Sequence, residues 1–407
     1  MLTLDQALAI AAERNRDIQK AREYMAWAKG KYIEERAAAF PQLTAIGSVI
    51  RDRDESQKIY GLAMADPAKR QAAQIAITQP LFTWGQISAA IRAAEVGLKS
   101  AEEQLRLYRQ AAKRNVAAAF YDVLLARELH ALAQQNLAQK TRHLAEAKKK
   151  YIAGVATDYD VLAAKVAAEN ALPDVIRTKN QILTTQDRLR FHLALDDVQI
   201  EVVGSLVTDM SSGRSYEEAI ALAKERRPDL VDMKYRMSIS RELVTLASAQ
   251  NKPRLDLKGG YGWNRIDQGD GQGEGAVWSA GIYLTYPLFD GLRTQGRVAQ
   301  AKSDFRRLKI DETKLIDTVS IEIREGVNTL REVTEIVRAL SGTVTQAEQL
   351  LGMAEKGYVL GVKTRLEVED AELNLQQALS NLSRARRDYL VARIHLDWVT
   401  GILGEEL

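Results

Sequence analysis

Apolar residues recur at steps of three and four along most of this chain, and at steps of two in a few short stretches. The helical pattern is strictest in Val368, Ala371, Leu375, Ala378, Leu382, Ala385, Tyr389, Ala392, Leu396 and Val399. Ile91, Ala94, Leu98, Ala101, Leu105, Tyr108 and Ala112 follow the same steps, and a weaker series runs from Val161 to Leu189. Large residues alternating with alanine predict coiled-coil seams in which helices approach closely. The span Ser88 to Tyr151 predicts a helix of roughly 95 Å at 1.5 Å per residue. Such a helix forms a rod or a wall, not the element of a compact globule.

The period-two stretches read as strands. Leu255, Leu257, Gly259, Tyr261 and Trp263 alternate with Asp256, Lys258, Gly260 and Gly262. Trp278, Ala280, Ile282, Leu284 and Tyr286 alternate with Ser279, Gly281, Tyr283 and Thr285, and Ile75, Ile77 and Leu81 form a weaker set. One face is apolar and aromatic, the other mostly small or polar. Polar loops are expected from Arg51 through Ser56 onward and over Asp267–Gly273.

These patterns occur twice. Thr78-Gln79-Pro80-Leu81-Phe82 recurs as Thr285-Tyr286-Pro287-Leu288-Phe289, and Tyr151–Thr157 as Tyr358–Thr364, both 207 positions on. Ala39–Leu43 recurs loosely as Asn251–Leu255 at 212 positions, so the slip falls in the first strand loop. The chain reads as a duplicated unit. Residues 1–194 form one repeat, 195–214 a linker, and 215–407 the second repeat. Each repeat opens on a helix with Thr3 or Ser215 as N-cap, ending near Pro41 or Pro253. Two strands and a long helical hairpin follow. Gly154 and Gly361 end the first long helix of each hairpin, and Thr157 and Thr364 cap the second. Pro173, where the second repeat has Ser380, is expected to kink its helix.

The 57 basic and 54 acidic residues leave a net charge of +3, which gives no push toward nucleic acid. The absence of cysteine excludes disulfides, thiolate metal sites and a lipidated N-terminal cysteine. No apolar run approaches the roughly 18 residues of a membrane helix. Met1-Leu2-Thr3-Leu4-Asp5 enters an amphipathic helix without a signal peptide, which suits a cytosolic protein or a mature form carrying a start methionine. Four strands with an apolar outer face need closure. They are too few for a membrane barrel, and three chains would supply twelve.

The duplication, the two Pro-Leu-Phe strand ends, and the tips Gly154–Val161 and Gly361–Val368 are similar to the TolC-like outer membrane efflux and secretion channels. The resemblance covers residues 1 to 400. It implies an α+β homotrimer with a 12-stranded outer membrane β-barrel, four strands per chain, continued by an α-helical barrel into the periplasm. Residues 195–215 and the C-terminal end would supply an equatorial region. It implies a passive conduit serving a periplasmic adaptor and an inner-membrane transporter of RND, ABC or MFS type, embedded in outer membrane lipid.

The resemblance also assigns residues. Tyr151, Gly154, Val155, Thr157, Gly361, Val362 and Thr364 match adaptor-docking tips. Glu367 and Asp370 match positions lining the entrance, where a ring of carboxylates selects cations. Asp160, Tyr358 and Lys363 match polar links that hold the tips closed. Asp370 has only Ala163 as its repeat partner, which favours the second repeat as the gate. His130, His143, His192 and His395 lack metal-ligand spacing, and Gly269–Gly275 lacks the signature of a calcium or phosphate loop. Lys148-Lys149-Lys150 reads as a solvated helix face close to the tip, with an aid to adaptor docking as the alternative. No cofactor and no catalytic constellation is expected. The competing reading is a soluble coiled-coil scaffold, which leaves the aromatic strands unexplained.

Overall fold

The structure, a computed structural model, describes residues 1–53, 68–196, 200–207, 210, 213–268 and 271–403. In chain order the elements are α1 (Leu4–Arg14), α2 (Arg16–Ala37), β1 (Gln42–Asp52), β2 (Ala68–Phe82), α3 (Gln86–Ile152) and α4 (Asp158–Leu193). The second repeat follows with α5 (Tyr216–Arg226), α6 (Pro228–Ser248), β3 (Arg254–Gln268), β4 (Gly271–Thr285), α7 (Arg293–Val359) and α8 (Arg365–Val399). Both α3 and α7 have 67 residues.

The expected opening helices are each two helices. Asn15 ends α1, and its Oδ1 accepts from the Asp17 and Ile18 N–H groups to start α2. In the second repeat Arg227 ends α5 and Pro228 opens α6, a first-turn position where proline loses no hydrogen bond. Thr3 and Ser215 do cap α1 and α5, each in a capping box with Gln6 or Glu218. Pro173 lies inside α4 and does not end it. The loop expected over Asp267–Gly273 is mostly strand, because the ladder between β3 and β4 continues to the Gln268–Gly271 pair. Gly269 and Asp270 lie outside the described residues, as do Asp54, Glu55 and Ser56 of the other expected loop.

The described residues form two compact units, each drawing on both repeats. One comprises residues 24–102 and 232–312 and holds an antiparallel sheet in the order β1-β2-β3-β4. The register places Ala45, Ile75, Tyr261 and Trp278 in one row across it. Gly262 is required by close approach: a Cβ there would lie 2.5 Å from the Ala73 carbonyl oxygen and 2.6 Å from Gln74 Cβ. The turns from β2 to α3 and from β4 to α7 share one backbone form. Trp84 and Gly85 in the first, and Gly291 and Leu292 in the second, all have positive φ.

The other unit comprises residues 1–23, 103–231 and 313–407. Its core joins Phe120 and Val123 of α3, Leu189 and Leu193 of α4, Ile323 of α7 and Tyr389 of α8. The segment after α4 joins this core through Val202 and Leu206, and Leu2 makes a parallel bridge to Val202. Buried Arg227 donates to Asp229 and Glu322, both at 2.6 Å, and to the Val399 carbonyl at 3.2 Å. The chain after α8 turns at Gly401 (φ 77°), where a Cβ would sit 2.8 Å from Arg227 N.

Candidate functional site

The two hairpin tips are built alike, atom for atom in their backbone bonds. In the first, Gly154 N–H bonds Tyr151 O at 2.9 Å and Val155 N–H bonds Lys150 O at 2.9 Å. In the second, Gly361 N–H bonds Tyr358 O at 3.0 Å and Val362 N–H bonds Gly357 O at 2.9 Å. This paired pattern is the Schellman ending, which needs a left-handed residue at the glycine. Gly154 has φ 74° and Gly361 φ 72°.

Thr157 and Thr364 then start the return helices through capping boxes. The Asp160 carboxylate accepts from Thr157 N and Oγ1, both at 2.8 Å. These bonds hold its pKa below the usual carboxylate range. The Glu367 carboxylate accepts from Thr364 N at 2.8 Å and Oγ1 at 3.0 Å, and from Lys363 Nζ at 2.5 Å. The Lys363 bond, followed by the Thr364 bonds, holds it down to about 2. Glu367 is therefore a fixed negative charge at any physiological pH.

Within one chain, Lys363 is thus joined to Glu367, and Asp160 to Thr157. Tyr358 instead accepts from Lys150 of the first tip, at 2.8 Å, with the ammonium 5.1 Å from its ring centroid. Lys150, which the sequence placed on a solvated face close to the tip, was missed as the partner of Tyr358. Gly357 was missed as well: a Cβ there would lie 2.4 Å from Lys363 Cγ, so glycine makes room for the lysine stem. Lys150 is its repeat counterpart. Asp370 is exposed on α8.

Val155 and Val362 are 74% and 75% exposed, and Ile152, Tyr159, Leu360 and Leu366 join them as exposed apolar side chains around the tips. Further along, both return helices bury a seam, α4 through Ala164, Ala171, Thr185 and Leu189. Helix α8 buries its seam residues Val368, Ala371, Ala378, Leu382 and Ala385 within its own chain. Helix α4 leaves Leu162, Val166, Ile176 and Leu183 exposed, at helical spacing on one side.

The sheet is also unsatisfied. Trp278 is 75% and Tyr261 68% exposed, and Leu43, Val49, Ile75, Leu257, Ile282 and Leu284 share their face and exposure. Towards the hairpin ends this apolar band stops at charge: Arg265 pairs with Asp267 at 3.1 Å, and Arg51 stands opposite Lys69. The other face carries Thr44, Ser48, Gln74, Thr78 and Ser279, interrupted by Ile46, Ile50, Ile266, Val277 and Tyr283. An apolar band with a polar reverse and a charged rim is the pattern of a strand set facing lipid. Among the described residues no helix is long and apolar enough to cross a membrane, and no group of side chains could hold a metal ion.

A family model described as outer membrane efflux protein matches residues 7–195 and 219–402, one block per repeat. The chain belongs to the outer membrane efflux protein family. It is an outer membrane channel for efflux or secretion, in a family of channels and not of enzymes. The outer membrane protein TolC of Vibrio cholerae is 24% identical over 386 residues, covering 91% of this chain and 87% of the relative. The outer membrane efflux protein BepC of Brucella suis is 24% identical over 411 residues, covering 98% and 85%. Among solved structures, the CmeC outer membrane channel of Campylobacter jejuni superposes with a TM-score of 0.85 at 16% identity, covering 98% of this chain and 85% of that one. An outer membrane channel accounts for the exposed aromatic sheet, which the scaffold reading left unexplained.

Proposed function

We propose that the channel is a homotrimer in which β1 of one chain pairs with β4 of the next, closing three sheets into a twelve-stranded barrel. The observation that carries this is the pair of sheet edges, β1 and β4, left without a partner strand among the described residues, beside an exposed apolar band. A four-stranded sheet with one apolar face in lipid needs its edge groups satisfied. The apolar residues that α4 leaves exposed beside its buried seam, Leu162, Val166, Ile176 and Leu183, add to it, since they too call for cover.

In this reading the channel is a passive conduit. Glu367 and Asp370 line its periplasmic entrance, and Tyr358, Lys363 and Asp160 contribute polar links at the closed tips. The exposed Val155 and Val362, with Tyr151, Gly154, Thr157, Gly361 and Thr364, present the surface on which a periplasmic adaptor docks. An inner-membrane transporter of RND, ABC or MFS type supplies energy, and the adaptor biases the tips between two packings. Lys363 enters with a qualification of physical origin: it must leave Glu367, or share its ammonium, to link across subunits.

Outer membranes extracted in mild detergent and run unheated should yield a species of three chains that heating converts to one. A single-chain species in intact membranes would sink the trimer. Glu367→Ala with Asp370→Ala should change cation selectivity in planar bilayers, and an unchanged channel would remove the entrance assignment.

A further inference from the structure

Glu372 lies on α8 two residues beyond Asp370, and its side chain is only 5% exposed. Its Oε2 accepts from Lys140 Nζ at 3.0 Å, and its Oε1 meets His143 Nε2 at 2.7 Å. Both partners stand on α3, three residues apart and so on one face of that helix. Burial pushes the carboxyl pKa up, but the bonds from His143 and Lys140 outweigh it, and the group stays ionised below the usual range. Lys140 and His143 are the titratable side chains in contact with Glu372. Beyond them, Glu146 stands 3.9 Å from His143 Nδ1, and Glu369 of α8 is engaged by Arg365 at 2.8 Å.

The repeat shows that this cluster is single. At the 207 offset, Glu372 corresponds to Lys165, Lys140 to Ala347, and His143 to Leu350. Lys165 is exposed and stands 3.8 Å from Glu169 of its own helix. The first repeat's return helix therefore has no equivalent grip. A buried charge whose partners are withdrawn is costly, so the carboxylate keeps α8 and α3 in one register as long as it is ionised.

We infer that Glu372, held by Lys140 and His143, is a positioning residue that pins the tip-proximal turns of α8 to α3 and thereby fixes where Glu367 and Asp370 stand in the entrance. The inference rests on the entrance reading above. Glu367, Asp370 and Glu372 lie within two turns of one helix, and a helix transmits a displacement at one turn to the next. Protonating Glu372 would release α8 from α3 without altering the capping box at Thr364.

The chain has no cysteine, so one introduced at exposed Leu366 reports the tip alone. Spin labels on Leu366→Cys in the full purified channel give distances between subunits. Glu372→Gln should broaden or lengthen that distribution by about 5 Å, one helical turn's rise, at neutral pH. The parent channel should approach the same distribution as pH falls below the ordinary carboxylate range, and the Glu372→Gln channel should show less of that change. A second variant, Lys140→Met with His143→Leu and Glu372→Leu, replaces the cluster by apolar packing and guards against simple misfolding. It should assemble and melt like the parent yet lose the acid response. Parent-like distances in Glu372→Gln, or an acid response retained in the apolar variant, would overturn the inference. If Glu367→Ala with Asp370→Ala leaves conduction unchanged, the entrance reading itself fails. If that pair alters conduction while the Glu372 variants do not move the labels, only the positioning role falls.

Discussion

Asp160 and Glu367 occupy one structural position, each accepting at 2.8 Å from the backbone N–H of the threonine that caps its helix. The difference is the extra bond that Glu367 takes from Lys363 at 2.5 Å. The tip charge is thus set by local geometry in both repeats, and a hydrogen bond from a lysine is added at Glu367.

Lys363→Met should return the Glu367 pKa from about 2 toward its ordinary value of 4.5. The group's folded-state pKa is depressed, so its stabilising effect is present above the unfolded value and is lost as pH falls through the folded one. In the parent, fraying of the first turn of α8 should therefore begin only as pH drops below 4.5 toward about 2. In Lys363→Met less of this stability is there to lose, so the acid-dependent change should be smaller. Amide hydrogen exchange of residues 365–369, corrected for intrinsic rates, measures its size. An equal acid-dependent change in the two proteins would remove Lys363 as the cause.

Gly361→Ala and Gly154→Ala force a side chain into left-handed backbone at φ 72° and 74°. Each should weaken its tip by about 1–2 kcal/mol. Limited proteolysis would then cut faster at the substituted tip than at the other one, with the sheet unaffected.

Gly262→Val places a Cβ 2.5 Å from the Ala73 carbonyl oxygen. The β2–β3 pairing cannot accommodate that without separating the strands. The yield of heat-resistant oligomer in outer membranes should fall sharply. Gly273→Ala, where a Cβ meets nothing within 4 Å, should leave it unchanged.

Arg227→Ala strands Asp229 and Glu322 and frees the Val399 carbonyl. Breaking a buried ion cluster by removing one partner costs about 3–5 kcal/mol. A lowered melting temperature in detergent, followed by circular dichroism at the helical minimum, checks this.

What could be read from the sequence was local. Gly154, Thr157, Gly361 and Thr364 announce their turns because glycine and a capping hydroxyl act within a few residues. The strand faces were legible in the second repeat, where Tyr261 and Trp278 mark the alternation, and faint in the first, where Gln74 and Ala76 dilute it. The breaks at Asn15 and Arg227 were signalled by an Asn before an acidic first turn and by Pro228, but the apolar period ran across them and dominated. Lys363 and Glu367 have the spacing of a helical ion pair, and the resemblance to closed-tip links drew attention elsewhere. Glu372 could not be recognised at all. Its partners Lys140 and His143 lie 232 and 229 positions away, and nothing in a single sequence joins them.

Strands β1 and β4 end the sheet with backbone groups that no described strand of the same chain satisfies. In the proposed trimer, the native state of this sheet is a function of how many other chains are present. At high dilution a folded protomer has no finished endpoint, and stability measured on the purified protein should rise with protein concentration. Before assembly, the same edges will accept any extended segment that reaches them, so the time a newly made chain spends alone sets its risk of aggregation.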